Sequence, residues 1–311
     1  DVMQADEMAL WSDRLVLASL AALSACLVTY AVAAALAARS AGRAPAPILV
    51  GGPEALTASP APVTSGDRAN ALRPAGTWLM ASGAVLLVAA VVARGLAASR
   101  VPWGNMYEFT LSGTFVVAAL YLLLRRRFGL AWMAPIVVAV VLSLLMVAVI
   151  WLYQPVGPLR EALNSYWLVI HVVSAIIATG AFTLGGIASA LFLLKERAER
   201  KGRTGGYLGR VPSPAALDRV SYRMHAFGFP VWTFAVLITG PIWAHEAWAS
   251  YWSWDPKEDW AFITWVVYAA YLHARATAGW KGRNAALLAL LGMATLWFNF
   301  IGINYFSTSS M

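Results

Sequence analysis

Long apolar stretches broken by short charged ones run the length of the chain. Charge-free segments occupy 15–38, 77–93, 109–124, 128–159, 163–194, 224–244, 260–274 and 284–311. A hydrocarbon core about 30 Å thick takes about 20 helical residues, so each segment predicts one membrane helix. The expected fold is an all-α polytopic membrane bundle of about eight transmembrane helices. The third and seventh segments are short and must recruit their flanks. The seventh has a clear start: Asp255 suits an N-cap, Pro256 the first helical position, and Glu258 completes a D-x-x-E capping box. That helix is expected from 256 to about 274.

Composition agrees. Of 311 residues 60% are apolar and 12% charged, about half the charged share of an ordinary soluble domain. This excludes a soluble enzyme with a single core, and it excludes a disordered chain. The one cysteine, Cys26, cannot form an internal disulfide, so thiol redox chemistry by this chain alone is not expected.

The net charge of +8 acquires a meaning once the basic residues are sorted by loop. Eighteen of the 23 fall in 39–76, 125–127, 195–223 and 275–283; the other five are Arg14, Arg94, Arg100, Arg160 and Lys257. The positive-inside bias puts the first set in the cytoplasm and both termini outside. The charge then belongs to the inner face, and nucleic acid is not an expected partner. Residues 1–38 read as an external N-terminus with the first membrane helix. Residues 39–76, rich in Ala, Pro, Gly and Ser, read as a flexible cytoplasmic linker. Residues 77–311 form a seven-helix membrane domain with an external tryptophan-rich loop at 243–260. The basic stretch 195–223 is expected to include a short polar helix.

Four histidines are candidates for chemistry. Helix order places His171 and His245 near the outer face, His225 and His273 near the inner one. A histidine at a helix end is often an ordinary interfacial residue. An ionisable group within a membrane helix is a functional candidate by default, which favours His171 and His273. The outer loop is the second signal, with six Trp between Trp243 and Trp265. An aromatic belt explains one or two at a helix end. Trp248, Tyr251 and Trp252 would share one face of a short interfacial helix, either as a plain amphipathic surface or as a platform for a flat apolar ligand. Imidazoles nearby make haem the natural ligand, with Lys257 available to a propionate or to Glu258. A third, weaker feature is Trp103-Gly-Asn105-Met-Tyr-Glu108-Phe109, read as a Gly-Asn turn with Glu108 capping the helix that follows.

At the level of whole motifs, Trp248-Ala-Ser-Tyr251-Trp252-Ser-Trp254-Asp255-Pro-Lys257-Glu258-Asp-Trp260 resembles the tryptophan-rich WWD signature of haem-handling proteins. With Tyr271-Leu-His273-Ala-Arg275, Asn105-Met-Tyr-Glu108, Trp167-Leu-x-x-His171, Gly228-Phe-Pro230 and Asn304-Tyr-Phe306, the chain is similar to CcsA/ResC-type System II cytochrome c biogenesis proteins from residue 103 onward. (Some lineages name this subunit CcsB.) The first two helices match only loosely.

The resemblance implies a membrane subunit, in a cytoplasmic or thylakoid-type membrane, that carries haem b as substrate to the external face. There it presents the haem to apocytochrome c, whose C-x-x-C-H thiols add to the vinyl groups. The activity implied is that of a haem lyase of the holocytochrome c synthase type, working with a CcsB/ResB-type membrane protein. Thiol-reducing proteins and membrane lipid are further candidate partners. No residue of the chain is expected to act as nucleophile. His171 matches an external axial ligand of haem iron; its counterpart is expected beyond the region matching 304–311. His273 matches the inner ligand, whose counterpart comes from the partner. Trp248, Tyr251, Trp252, Trp254, Asp255, Lys257 and Trp260 form the expected haem-binding loop, with Asp255 and Glu258 mainly capping the next helix. His225 and His245 match no family ligand; Asn is usual at 245, and Gly at 249, where this chain has Ala249. Two other readings stay open at this point: a haem exporter or chaperone without synthase activity, and a quinone-handling structural subunit.

Overall fold

The computed structural model describes residues 2–41, 65–157, 165–203 and 205–303, and among these every regular element is helical. The helices are α1 Val2–Ala41, α2 Ser65–Ala98, α3 Met106–Arg127, α4 Ala134–Trp151 and α5 Tyr166–Arg200, followed by α6 Gly206–Arg210, α7 Pro214–Thr233, α8 Gly240–Trp248, α9 Pro256–Ala276 and α10 Arg283–Trp297. A short 3₁₀ turn, Leu130–Met133, leads into α4. π-helical turns at Phe234–Thr239 and Phe298–Gly302 join α7 to α8 and extend α10.

Within the described residues every charge-free segment falls on a helix, and the fold is an all-α polytopic membrane bundle. Among the described residues seven helices are long and apolar enough to cross a bilayer, with α7, the π turn and α8 counting as one. The remaining one is α9. Its 21 residues rise roughly 32 Å at about 1.5 Å each, enough to span, and its ends carry Lys257, Glu258, Asp259, His273 and Arg275. Two boundaries differ from expectation. Residues 65–76, read as linker, are the first turns of α2, while 42–64 lie outside the described residues. The residues ahead of the first span are also helical, since α1 starts at Val2. α6 is the short helix expected within 195–223; the buried Lys195 ammonium secures this loop by donating to the carbonyls of Leu208 (2.7 Å) and Val211 (2.8 Å).

α1 and α2 form an antiparallel hairpin held by a regular ladder. Ser12, Ser19 and Cys26, seven residues apart, donate to the carbonyls of Ala90 (2.9 Å), Gly83 (2.8 Å) and Gly76 (3.0 Å), also seven apart. Small residues at the seam let the backbones approach, as membrane helices require in the absence of a hydrophobic driving force between them. A Cβ at Gly83 would stand 2.9 Å from the Leu23 side chain, and one at Gly76 would stand 2.8 Å from the Tyr30 ring.

A buried ionic cluster fastens this hairpin to the rest. Asn105, not Glu108, is the N-cap of α3, accepting from the Glu108 amide at 2.9 Å. The Glu108 carboxylate is wholly buried between Arg94 (3.0 Å) and Arg100 (2.7 Å), and it also accepts from the Gly104 amide at 2.7 Å. Arg94 reaches on to the Gln154 carbonyl and Arg100 to that of Gly157. Charges this deep persist only when paired and hydrogen-bonded, and these groups join α2, the start of α3 and the segment after α4. Beyond them α5 is the central element: it packs along α3, α7 and α10, and Phe182 in its middle stacks on Tyr268 of α9 at 3.8 Å.

Candidate functional site

The site begins where the hydrogen-bond ladder of α7–α8 opens. Pro241 has no amide hydrogen to give a carbonyl one turn back, and the chain accommodates it with the π turn Phe234–Thr239. The Ala235 carbonyl becomes a hub. It accepts from the Gly240 amide, from Thr239 Oγ1 at 3.1 Å, and from Nδ1 of His171 on α5 at 2.9 Å. A carbonyl only accepts, so Nδ1 carries the imidazole proton. Nε2 is left with its lone pair, as an iron ligand requires. The His171 ring lies nearly parallel to Trp243 of α8, 13° between planes and 6.2 Å between centroids. Glycine at 240 eases this approach: a Cβ there would sit 3.0 Å from the Ala235 oxygen and 3.2 Å from the His171 ring, so one of them would have to give way. Ser165, the N-cap of α5, also donates to Glu246 of α8 at 2.7 Å, which fixes the two helix ends together.

The tryptophan-rich loop follows. α8 ends at Trp248 because Ala249 turns left-handed, with φ +56° and its amide bonded to the His245 carbonyl at 2.9 Å. Glycine suits that position best. Tyr251 and Trp252 are therefore off the helix, and the single helical face expected for Trp248, Tyr251 and Trp252 does not form. Trp254 is also left-handed, at φ +57°. The loop closes on α9 through the expected cap: Asp255 accepts from the amides of Lys257 (2.8 Å) and Glu258 (3.0 Å). The Glu258 carboxylate reaches past the cap residue to the Ser253 amide at 2.7 Å, so the capping box encloses two more residues than the usual form.

The aromatic residues divide into two sets. Trp248, Tyr251 and Trp254 are 61%, 59% and 69% exposed. Trp252 turns inward against Phe262 and meets Trp254 edge-on at 5.9 Å, while Trp260 packs on Phe298 at 4.3 Å. Lys257 is exposed, with its ammonium in no ion pair among the described residues. The structure thus offers an open aromatic surface carrying one cation, supported from below by two packed indoles.

The other histidines sort by environment. His273 lies 17 residues along α9 from Pro256, roughly 26 Å away at about 1.5 Å per residue, at the opposite end of the bundle from the loop. Its ring is exposed and makes no hydrogen bond among the described residues. Ile263, Val266, Ala270 and His273 form an exposed stripe down α9 at alternating three- and four-residue spacing. His245 is exposed and stacks on Tyr251 at 4.2 Å. His225 is fully buried among Phe182, Tyr268 and Tyr271, its Nδ1 2.7 Å from the Ser221 carbonyl. Residues 304–306, and with them Asn304-Tyr-Phe306, lie outside the described residues.

Residues 103–309, which hold all of these features, match the family described as cytochrome c assembly protein. The chain belongs to that family. It is 34% identical over 282 residues to the cytochrome c biogenesis protein CcsA of Synechococcus sp. (strain JA-2-3B'a(2-13)), covering 72% of this chain and 80% of that one. It is 37% identical over 238 residues to CcsA of Chlamydomonas reinhardtii (73% and 64% covered), and 33% over 273 residues to CcsA of Synechococcus elongatus (74% and 84%). The protein is a CcsA-type integral membrane protein of cytochrome c biogenesis, and α1 and α2 lie outside the family match.

Within this family member, sequence reasoning missed the residues that hold His171 in place. Trp243 was counted with the loop, although it stacks on the imidazole. Gly240-Pro241 inside an apolar segment was the available signal, since that pair breaks a helical ladder.

Proposed function

We propose that this protein is the haem-presenting subunit of a cytochrome c synthase. The observation that carries the reading is the His171 imidazole: its Nδ1 proton is committed to the Ala235 carbonyl and its Nε2 is free for iron. Haem b is the substrate. The exposed Trp248, Tyr251 and Trp254 offer apolar contact to the macrocycle, Lys257 offers a charge to a propionate, and Asp255 keeps the loop closed on α9. The basic bias of the opposite loops supports an external position for this face. Each cysteine thiol of apocytochrome c adds across one vinyl group. The sulfur bonds to the carbon next to the ring, the proton goes to the terminal carbon, and no electrons are gained or lost. The chain contributes positioning, with no nucleophile of its own.

His273 supports an inner haem station. An imidazole on a lipid-facing stripe is costly unless another group covers it. A helix of a CcsB/ResB-type partner, docked on Ile263, Val266, Ala270 and His273, would cover it and supply the second iron ligand. His171 and His273 stand at opposite ends of the bundle, so they serve successive positions of the haem.

The test is production of covalent cytochrome c in a host without its own synthases, with the partner co-expressed and haem content measured on the purified complex. The expected result is covalent cytochrome from the unaltered protein. His273→Ala is expected to carry little haem, and His171→Ala to load haem without attaching it. Haem carried and exported with no covalent product would make the protein an exporter. Absence of haem from the purified complex would overturn the reading.

A further inference from the structure

His225 has no part in the haem reading, yet it is buried at a junction of four helices. Glycines make the room. A Cβ at Gly185 of α5 would stand 2.5 Å from the His225 ring, and one at Gly292 of α10 would stand 2.8 Å from the Tyr268 ring. Tyr268 and Tyr271 come from α9, with ring centroids 5.2 and 5.0 Å from the imidazole. Phe182 of α5 closes the group, stacked on Tyr268 and 5.9 Å from the His225 ring. His225 and Tyr268 are wholly buried, and Tyr271 is 1% exposed.

One side of the imidazole is satisfied. Nδ1 lies 2.7 Å from the Ser221 carbonyl, and the Ser221 hydroxyl meets that of Ser189 at 2.7 Å. A carbonyl only accepts, so Nδ1 carries the proton and Nε2 presents a lone pair. This Nε2 and the hydroxyls of Tyr268 and Tyr271 make no hydrogen bond among the described residues. A single buried polar atom without a partner is uncommon in a folded protein, and here three belong to rings in mutual contact. Their chemistry selects the partner. Nε2 calls for a donor, and each phenol both donates and accepts. A cation would answer the lone pair, but Asp218, the acid on α7 one turn before Ser221, is committed to Arg275 at 2.6 Å. An anion would face the lone pair. The close rings leave room only for something small, neutral, and able to donate and accept at once.

We infer that a water molecule is bound inside the bundle between His225 Nε2 and the hydroxyls of Tyr268 and Tyr271. It donates to Nε2, accepts from one phenol and donates to the other, which is the usual complement of about three hydrogen bonds for a buried water. The water joins α7 to α9. At 3.6 residues per turn, Tyr268 and Tyr271 occupy the side of α9 opposite Ile263, Val266, Ala270 and His273. The bridge therefore fixes the rotation of α9 that turns this stripe outward.

The experiment uses the full chain in lipid nanodiscs, isotope-labelled at histidine nitrogen and phenylalanine carbon, with solid-state NMR and thermal unfolding on the same preparations. The His225 signal is identified by its contact with Phe182. Its Nε2 is expected to resonate as a hydrogen-bonded imine nitrogen and to receive magnetisation from water protons. Both signs are expected to weaken in Tyr268→Phe with Tyr271→Phe. The melting temperature supplies an independent sign. Deleting a buried hydroxyl that has no partner relieves a penalty and raises it, whereas deleting one that holds a water lowers it, here by about 2–4 °C for each Tyr→Phe change. A free imine nitrogen, a bonded Nε2 with no water contact, or a higher melting temperature in both single variants would overturn the proposal. None of these readouts depends on haem, so the site stands or falls apart from the synthase reading.

Discussion

In the α1–α2 hairpin, three side chains seven residues apart each donate to a backbone carbonyl of the facing helix, and α2 stays α-helical through its one interior proline, Pro74. In the α7–α8 arm the ladder itself is opened. A proline withdraws a donor, a π turn absorbs the misfit, and the Ala235 carbonyl accepts from an imidazole on another helix. Both regions are apolar and helical. The hairpin spends its polar groups on holding two rods together. The arm spends them on aiming one side chain. Regular packing in a membrane needs small residues at a fixed period, whereas aiming a ligand needs an exception to that period. The family match includes the arm and omits the hairpin.

The sharpest way to break this comparison is at His171. His171→Ala is expected to reduce covalent cytochrome c to background while the protein still inserts and purifies in normal amounts; an unchanged yield would make the arm as structural as the hairpin. Gly240→Ala comes next. Its Cβ pushes on the Ala235 oxygen and the imidazole, and a fall in yield on the order of 10-fold is expected, with a changed iron-ligand signature in the resonance Raman spectrum of any haem retained. The loop then separates into its two sets. Trp254→Ala should weaken haem retention by about 1 kcal/mol of aromatic contact, roughly fivefold, at constant melting temperature. Trp252→Ala should lower the melting temperature first, since that indole is packed against Phe262.

Two smaller effects sharpen the contrast from the stability side. Ala249→Gly removes a left-handed alanine and is expected to raise stability by about 1 kcal/mol, read as a higher melting temperature in detergent. Ser19→Ala deletes one rung of the hairpin ladder. A loss of about 0.6 kcal/mol is expected, with cytochrome yield untouched. A large loss of yield from Ser19→Ala would show that the hairpin takes part in the chemistry.

The helices were legible because a bilayer leaves the backbone no alternative. Each charge-free segment had to satisfy its own amides, and among the described residues each is helical. The N-cap at Asp255 was legible for the same local reason, its carboxylate sitting two and three residues before the amides it caps. Positions that depend on single backbone angles were not. Trp248, Tyr251 and Trp252 have helical spacing, yet Ala249 at φ +56° ends the helix between them. His225 looked close to a loop when counted from the first apolar residue, but α7 starts earlier, at Pro214, and the ring is fully enclosed. Glu108 read as a cap because its neutralising arginines, Arg94 and Arg100, come from 14 and 8 residues away in sequence. The support of His171 was hidden most completely, since its partner is a main-chain oxygen.

That oxygen has a consequence for inheritance. Every residue brings a carbonyl, so no codon change at position 235 deletes the acceptor that orients His171. Drift at Ala235 alters what packs around the oxygen, while the oxygen itself persists. Genetic vulnerability is transferred to Gly240 and Pro241, which touch no ligand and only determine whether the oxygen is turned toward α5. Loss-of-function alleles that leave every histidine and tryptophan intact should therefore concentrate at those two codons.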